Sequence, residues 1–399
     1  MSLLDKLQRV QATRDALRAG GRSPVGLTFD AILSPTEALV DGQRIILAGS
    51  NNYLGLTFHP DCLQAAERAL REQGTGTTGS RMANGSFAGH VALEEAIGAF
   101  FGWPRGIVFS TGYLANLGSI GALAGPGEVL LMDADCHASI FDAAKLSGAE
   151  VLLFRHNDAA DLERRLRRLG ARAASTLVVI EGIYSMLGDL APLRDMIEIK
   201  RRFGTYLLID EAHSVGVLGE RGRGLAEAEG VQDEVDFIVG TFSKSLGATG
   251  GFCVSPHPEL DLLRYASRPY IFTASPSPSV IASTQAALRL LEDGSDLRRQ
   301  LWHNVETLYQ GLGDAGYRLA APPSPVIAAL VDDRETAIEA WRGLLERGVY
   351  VNLMVPPATP GGLNLLRCSL SAAHTDEQIE HIRSAFVQVL PAASGPPPV

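Results

Sequence analysis

Tyr206-Leu-Leu-Ile-Asp-Glu-Ala-His213 is an apolar run of strand length that ends on an acid, with an imidazole three residues further on. A short way downstream, Gly240-Thr-Phe-Ser-Lys-Ser-Leu-Gly247 sets an amine among small hydroxyl residues and glycines at the next expected strand end. Working outward from this pair, the pattern repeats. Apolar runs occur at 105–110, 128–133, 150–154, 176–180, 205–210, 236–240 and 251–255, most of them separated by helical stretches such as 159–169 and 192–203. Hydrophobicity in these runs is continuous rather than alternating, the mark of a sheet covered on both faces. The expected fold is α/β, built on a large, mostly parallel, seven-stranded sheet.

After about residue 285 the rhythm changes to long amphipathic helices at 297–312 and 335–347 and β-rich runs at 326–331, 349–353 and 365–370. A final helix opens with the capping box Thr375-x-x-Gln378 and carries Ile379, Ile382, Phe386 and Val389 on one stripe. This predicts a small α+β C-terminal domain over 286–399 and a large domain over 46–285. The N-terminal segment, 1–45, reads as an amphipathic helix to about residue 20 followed by a short β stretch around Arg44-Ile-Ile-Leu-Ala48. Ser394-Gly-Pro-Pro-Pro-Val399 reads as a frayed tail.

The 399 residues include 35 basic and 45 acidic side chains, a net charge of −10 at pH 7. A nucleic acid or an anionic membrane surface would want a basic stripe, so neither is expected as the main partner. The longest apolar runs, such as Leu177-Val-Val-Ile180, are far too short to cross a bilayer. The first nine residues carry charges at helical spacing, with neither an apolar signal region nor a small-residue cleavage site. The expectation is a cytoplasmic protein with no transmembrane segment, with attachment to the inner face of a membrane left open. Cys62, Cys136, Cys253 and Cys368 are scattered without a C-x-x-C pair, which indicates neither a disulfide framework nor a metal site.

Lys244 is one of four lysines against 31 arginines. Schiff-base chemistry needs an amine that can lose its proton, which arginine cannot do. Asp210, at the carboxyl end of a buried strand, is placed to pair with a protonated pyridine nitrogen, and His213 to reach a phenolic oxygen. Amine, acid, imidazole and flanking hydroxyls are the equipment for holding pyridoxal 5'-phosphate. Asp-Glu-Ala-His also occurs in helicase-type ATPases, but those need a Gly-Lys phosphate loop, and this chain contains no Gly-Lys dipeptide. Ser110-Thr-Gly-Tyr-Leu-Ala-Asn116 follows one strand and opens a helix, so the amides of Gly112 and Tyr113 can receive a phosphate. Thr241 and Ser243 form a second such cluster. His137 can stack on a flat ring or simply bond a loop carbonyl. Arg367, between Leu366 and Cys368, needs an anion, either a substrate carboxylate or an internal partner.

These residues, with Ser50-Asn-Asn-Tyr-Leu-Gly-Leu56, Gly79-Ser-Arg81, Gly85-Ser86 and Glu181-Gly-Ile-Tyr-Ser-Met-Leu-Gly-Asp189, resemble the α-oxoamine synthase family of fold-type I pyridoxal-phosphate transferases over nearly the whole chain. The resemblance implies a decarboxylative condensation of an amino acid with an acyl-CoA in a homodimer with shared sites. It makes Lys244 the Schiff-base lysine and proton carrier, Asp210 the partner of the pyridine nitrogen, and His137 a ring-stacking residue that also orients the substrate carboxylate. His213 and Ser185 would approach the phenolic oxygen. Gly112, Tyr113, Thr241 and Ser243 would surround the phosphate, with Thr273 and Ala274 supplied by the second subunit. Arg367 would bind the carboxylate, and Asn52 would lie near the reacting centre. Ser243-Lys-Ser-Leu-Gly247 and Arg268-Pro-Tyr-Ile-Phe-Thr-Ala-Ser275 look most like members that join L-serine to a long-chain acyl-CoA, palmitoyl-CoA, to give 3-ketodihydrosphingosine. The alternatives are the sister synthases that use alanine or glycine, and a non-catalytic scaffold subunit, against which Lys244 speaks. One departure is Val355, where many bacterial relatives place arginine before Pro-Pro.

Overall fold

The computed structural model describes residues 4–18 and 21–390. The expected tail, 394–399, lies outside these, as do residues 1–3 and 19–20 of the expected N-terminal helix; Gln8–Arg18 is helical. In chain order the strands are β1 (Ala31–Ser34), β2 (Glu37–Val40), β3 (Gln43–Leu47), β4 (Arg105–Phe109), β5 (Val129–Asp133), β6 (Glu150–Phe154) and β7 (Thr176–Glu181). They continue with β8 (Tyr206–Asp210), β9 (Phe237–Thr241), β10 (Gly251–Ser255), β11 (Val326–Val331), β12 (Val349–Tyr350), β13 (Asn352–Met354) and β14 (Asn364–Ser369).

Strands β4 to β10 are the seven apolar runs of the sequence, assembled in the order β4-β10-β9-β8-β7-β5-β6. The neighbours from β9 to β6 are parallel, while β10 runs antiparallel to both β9 and β4. Every residue of β5, β7, β9 and β10 is buried. Helices cover both faces of such strands, so no polar face is needed and the runs read as unbroken hydrophobicity. At the edge, β6 buries only Phe154. Four polar residues, Asp133, Glu181, Asp210 and Thr241, close the adjacent parallel strands β5, β7, β8 and β9 at their carboxyl ends. In parallel sheets this edge is where ligands bind.

Two compact units emerge. The larger comprises Asn51–Ser185 and Asp189–Leu301; the smaller comprises Met1–Ser50, Met186–Gly188 and Trp302–Val399. These limits differ from the expected 45/46 and 285/286. Helix Pro278–Glu292 packs on helices Pro60–Gln73 and Ala88–Phe101, which carries the larger unit past residue 285. The N-terminal segment does not stand by itself, because β3 pairs in parallel with β12, Ile46 opposite Val349 and Leu47 opposite Tyr350. The hairpin β2–β3 turns at Asp41-Gly42, both at positive φ, 49° and 77°. Asp-Gly is a strong hairpin signal that the sequence reading passed over. The apolar run 349–353 is not one strand either: β12 joins the four-stranded sheet β1-β2-β3-β12, while β13 joins the sheet β11-β14-β13. The last helix, Asp376–Val389, forms with both capping-box bonds and buries Ile379, Ile382 and Phe386. Among the described residues no helix is long and apolar enough to cross a membrane.

Candidate active site

Thr111 caps the helix Gly112–Leu123, its hydroxyl accepting the Leu114 N–H at 3.1 Å. The amides at the start of that helix face the loop after β9. A Cβ on Gly112 would lie 2.8 Å from the Cβ of Thr241, so only glycine lets the two segments approach this closely. Thr241 Oγ1 stands 2.9 Å from Ser243 Oγ and 2.9 Å from the Gly250 carbonyl. Two phosphate-friendly clusters far apart in the chain thereby meet, with the positive end of a helix dipole between them.

Asp210 ends β8 and is buried. Its Oδ2 accepts from Asn116 Nδ2 at 2.7 Å, and its Oδ1 from the Ala212 N–H at 2.9 Å. The same Asn116 nitrogen lies 2.9 Å from Ser139 Oγ, which is 2.8 Å from His137 Nδ1. His137 caps helix Ala138–Ser147, its Nδ1 accepting the Ser139 N–H at 3.2 Å, and its own N–H donates to Glu181. Burial pushes the His137 pKa down; the Lys244 charge adds to this and the Asp210 charge opposes it. Glu181, wholly enclosed at the end of β7, has its carboxyl pushed well up by burial and by the charge of Asp210. Burial likewise raises Glu211 to about 7, although its carboxylate accepts the amides of Leu225 and Ala226 at 3.0 and 2.9 Å. His213 Nδ1 lies 2.7 Å from Tyr53 Oη.

Eight residues singled out in the sequence, Gly112, Tyr113, His137, Asp210, His213, Thr241, Ser243 and Lys244, line one cavity of about 280 Å³ inside the larger unit. Asn52, Ser185, Thr273 and Ala274 do not line it. Asn52 turns its Nδ2 to Thr57 Oγ1 at 2.8 Å, and Ala274 bridges to Ser80 while its carbonyl accepts from Ser110 Oγ at 2.6 Å. Arg367 belongs to the smaller unit, buried in β14 between Ala328 and Asn352, with Nη1 donating to Ser369 Oγ at 2.8 Å. Sequence reasoning assigned no role to Asn116, Ser139 or Glu181, all of which line the cavity. Their signal lay close to residues already singled out: a polar side chain one helical turn past Gly112, another two residues past His137, and an acid at a strand end.

The donor set fits pyridoxal phosphate. The cavity offers an amine, a carboxylate acceptor, and hydroxyls beside a helix N-terminus for a phosphate. Asn116 Oδ1 is also buried there with no hydrogen-bond partner, a polar atom that a bound ring system would meet.

Comparison with known proteins agrees with this chemistry. Residues 43–386 match the family model for aminotransferase class I and II. A serine palmitoyltransferase of Caulobacter vibrioides is 53% identical over 389 residues, 98% of this chain and 96% of that protein. The solved serine palmitoyltransferase of Sphingomonas wittichii superposes with a TM-score of 0.95 at 50% identity, covering 98% of both chains. A variant of the enzyme from Sphingomonas paucimobilis, solved with a bound adduct of pyridoxal phosphate and myriocin, gives 0.95 at 46% identity, again over 98% of each chain. This chain belongs to the aminotransferase class I and II family and, within it, to the α-oxoamine synthases.

Proposed function

We propose that this chain is a pyridoxal-phosphate-dependent acyltransferase that condenses L-serine with palmitoyl-CoA, releasing carbon dioxide and free CoA and forming 3-ketodihydrosphingosine. The observation that carries the reading is the single cavity uniting Lys244, Asp210 and His137 with the phosphate cluster of Gly112, Thr241 and Ser243, in a chain that matches serine palmitoyltransferases over nearly its full length.

Bound in this cavity, pyridoxal phosphate supplies an electron-withdrawing ring that stabilises negative charge at the serine α-carbon. Asp210, kept in place by Asn116 and the Ala212 amide, holds a proton on the ring nitrogen. Thr241, Ser243 and the amides at Gly112 and Tyr113 hold the phosphate. Lys244 Nζ anchors the cofactor between turnovers, takes the serine α-proton, and returns a proton to the same carbon after carbon dioxide has left. The electron pair freed by proton removal forms the new carbon–carbon bond to the thioester carbonyl, and CoA departs with the thiolate pair. His137, uncharged at neutral pH because its pKa is lowered, walls the cavity without repelling the protonated ring nitrogen.

A panel of serine, alanine and glycine against long- and short-chain acyl-CoAs, read by CoA release, tests the reading. Serine with palmitoyl-CoA is the expected best pair; preference for alanine or glycine with a short thioester would replace it with a sister synthase. The protein is further proposed to work as a homodimer. Tyr265 and Phe272, each 72% exposed, flank the segment that leads to Thr273 and Ala274, and aromatic side chains so placed suit a subunit interface. Sedimentation at the mass of one chain across micromolar concentrations would overturn that part.

A further inference from the structure

We propose that Asn116 and Ser139 are positioning residues that set the tautomer of His137, keeping Nδ1 free of a proton so that the neutral ring carries its hydrogen on Nε2. The inference follows from counting hydrogens along one chain of bonds. An ionised Asp210 can only accept, so the Asn116 atom 2.7 Å from its Oδ2 must be the amide nitrogen; an oxygen there would face a carboxylate. That nitrogen has two hydrogens, and its second neighbour is Ser139 Oγ at 2.9 Å. Ser139 Oγ therefore accepts from Asn116, and its own hydrogen is available to His137 Nδ1 at 2.8 Å. The Ser139 backbone N–H, which can only donate, also points at Nδ1, at 3.2 Å. Two donors converge on one ring nitrogen, and a hydrogen on that nitrogen would meet both.

The consequence concerns the other side of the ring. Nε2 makes no hydrogen bond among the described residues, while His137 lines the cavity. With Nδ1 occupied as an acceptor, Nε2–H is a fixed donor offered to whatever anion enters. In the reaction proposed above, on which this part rests, that anion is the substrate carboxylate. The opposite tautomer would present a lone pair to the carboxylate and repel it. Asn116 thus couples the residue that holds the ring nitrogen to the residue that meets the substrate, through Ser139.

The tautomer is read directly by long-range nitrogen–proton NMR on histidine-labelled, cofactor-free protein, with the His137 signals assigned by their loss in His137→Asn. Nδ1 is expected at the shift of an unprotonated ring nitrogen and Nε2 at that of a protonated one. A protonated Nδ1 at pH 7.5 overturns the proposal whether or not the chain condenses serine, whereas failure of the substrate panel leaves this measurement standing. In Ser139→Ala one donor to Nδ1 is lost, so the His137 pKa should rise and the two tautomers mix. The kcat/KM for serine should fall about ten- to a hundredfold, with the acid limb of its pH profile moving to higher pH and the KM for palmitoyl-CoA unchanged. Ser139→Thr, which keeps the hydroxyl, should restore both spectrum and profile; a Ser139→Ala protein that folds with wild-type spectrum and profile would sink the role given to the hydroxyl.

Discussion

His156 in the larger unit and His374 in the smaller are the same side chain held in opposite ways. His156 binds a carboxylate through each ring nitrogen, Nδ1 to Asp133 Oδ1 at 2.9 Å and Nε2 to Asp189 Oδ2 at 2.7 Å. Burial alone would lower its pKa, but the hydrogen bonds and charges of Asp133 and Asp189 outweigh it and raise the value to about 10. His374 is enclosed without a carboxylate partner, its Nδ1 accepting the Ser371 N–H at 3.0 Å, and burial takes its pKa down to about 4. Parallel strands crowd their terminal acids onto one edge, and the larger unit needs a cation embedded among them. The antiparallel sheet of the smaller unit alternates its strand ends, and a neutral imidazole suffices. The cation does a second service. Asp133 ends β5 just before the loop that leads to His137, and Asp189 ends the segment that follows Glu181 at the close of β7, so His156 ties together the two segments that run from these strand ends.

The largest expected effect tests whether the strand-end edge is chemical at all. Lys244→Ala should abolish CoA release and the visible absorption that appears on adding pyridoxal phosphate, while the far-ultraviolet dichroism stays that of the wild type. Next comes the clamp. His156→Leu strands two carboxylates, one of them fully buried, and should cost about 3 kcal/mol in urea unfolding; a loss below about 1 kcal/mol would mean that His156 is not a charged tie.

The pH dependence sharpens the contrast further. The folded pKa of His156 is raised, so its stabilisation is full below about 6.5, the ordinary histidine value, and is lost as pH rises through about 10. The folded pKa of His374 is lowered, so its stabilisation is present above that ordinary value and is lost as pH falls towards about 4. Unfolding free energies measured across pH should lose their alkaline slope in His156→Leu and part of their acid slope in His374→Asn, and an exchange of the two slopes would refute the assignment. The smallest effect is at the last helix: the backbone amide of Glu377 and the Thr375 side chain hold the Glu377 carboxyl below its usual range, so Thr375→Ala, which also removes the capping box, should cost about 1 kcal/mol near pH 7 and less in acid, read by the same unfolding curves.

Much of this architecture was legible before any coordinates. The seven strands of the central sheet announce themselves because burial on both faces leaves unbroken apolar runs. Of the four-stranded sheet only β3 did, as the short stretch around residues 44–48, since β1 exposes part of its length and β12 has only two residues. The run at 349–353 misled for a related reason: apolar continuity records burial, not partnership, and Tyr350 and Asn352 serve different sheets. At the site, the sequence singled out Lys244, Asp210 and His213 because each expected chemistry demands one residue type at or just past a strand end, and the fold brings the three to one cavity. Asn116 and Ser139 were not, because an amide and a hydroxyl acquire a role only from the neighbours to which they donate.

The order of strands, the acids that end them and the amine among hydroxyls are written in local composition, and the sequence alone determines them. Which strand ends become neighbours, and so which carboxylate meets which donor, was decided only by tertiary structure. The helix Gly112–Leu123, which follows the edge strand β4, packs over β9 and β10 and so brings Asn116 within 2.7 Å of Asp210, 94 residues away. Hydrogen-bond direction depends on separations of a few ångströms between residues remote in the chain, and no periodicity along a sequence encodes them.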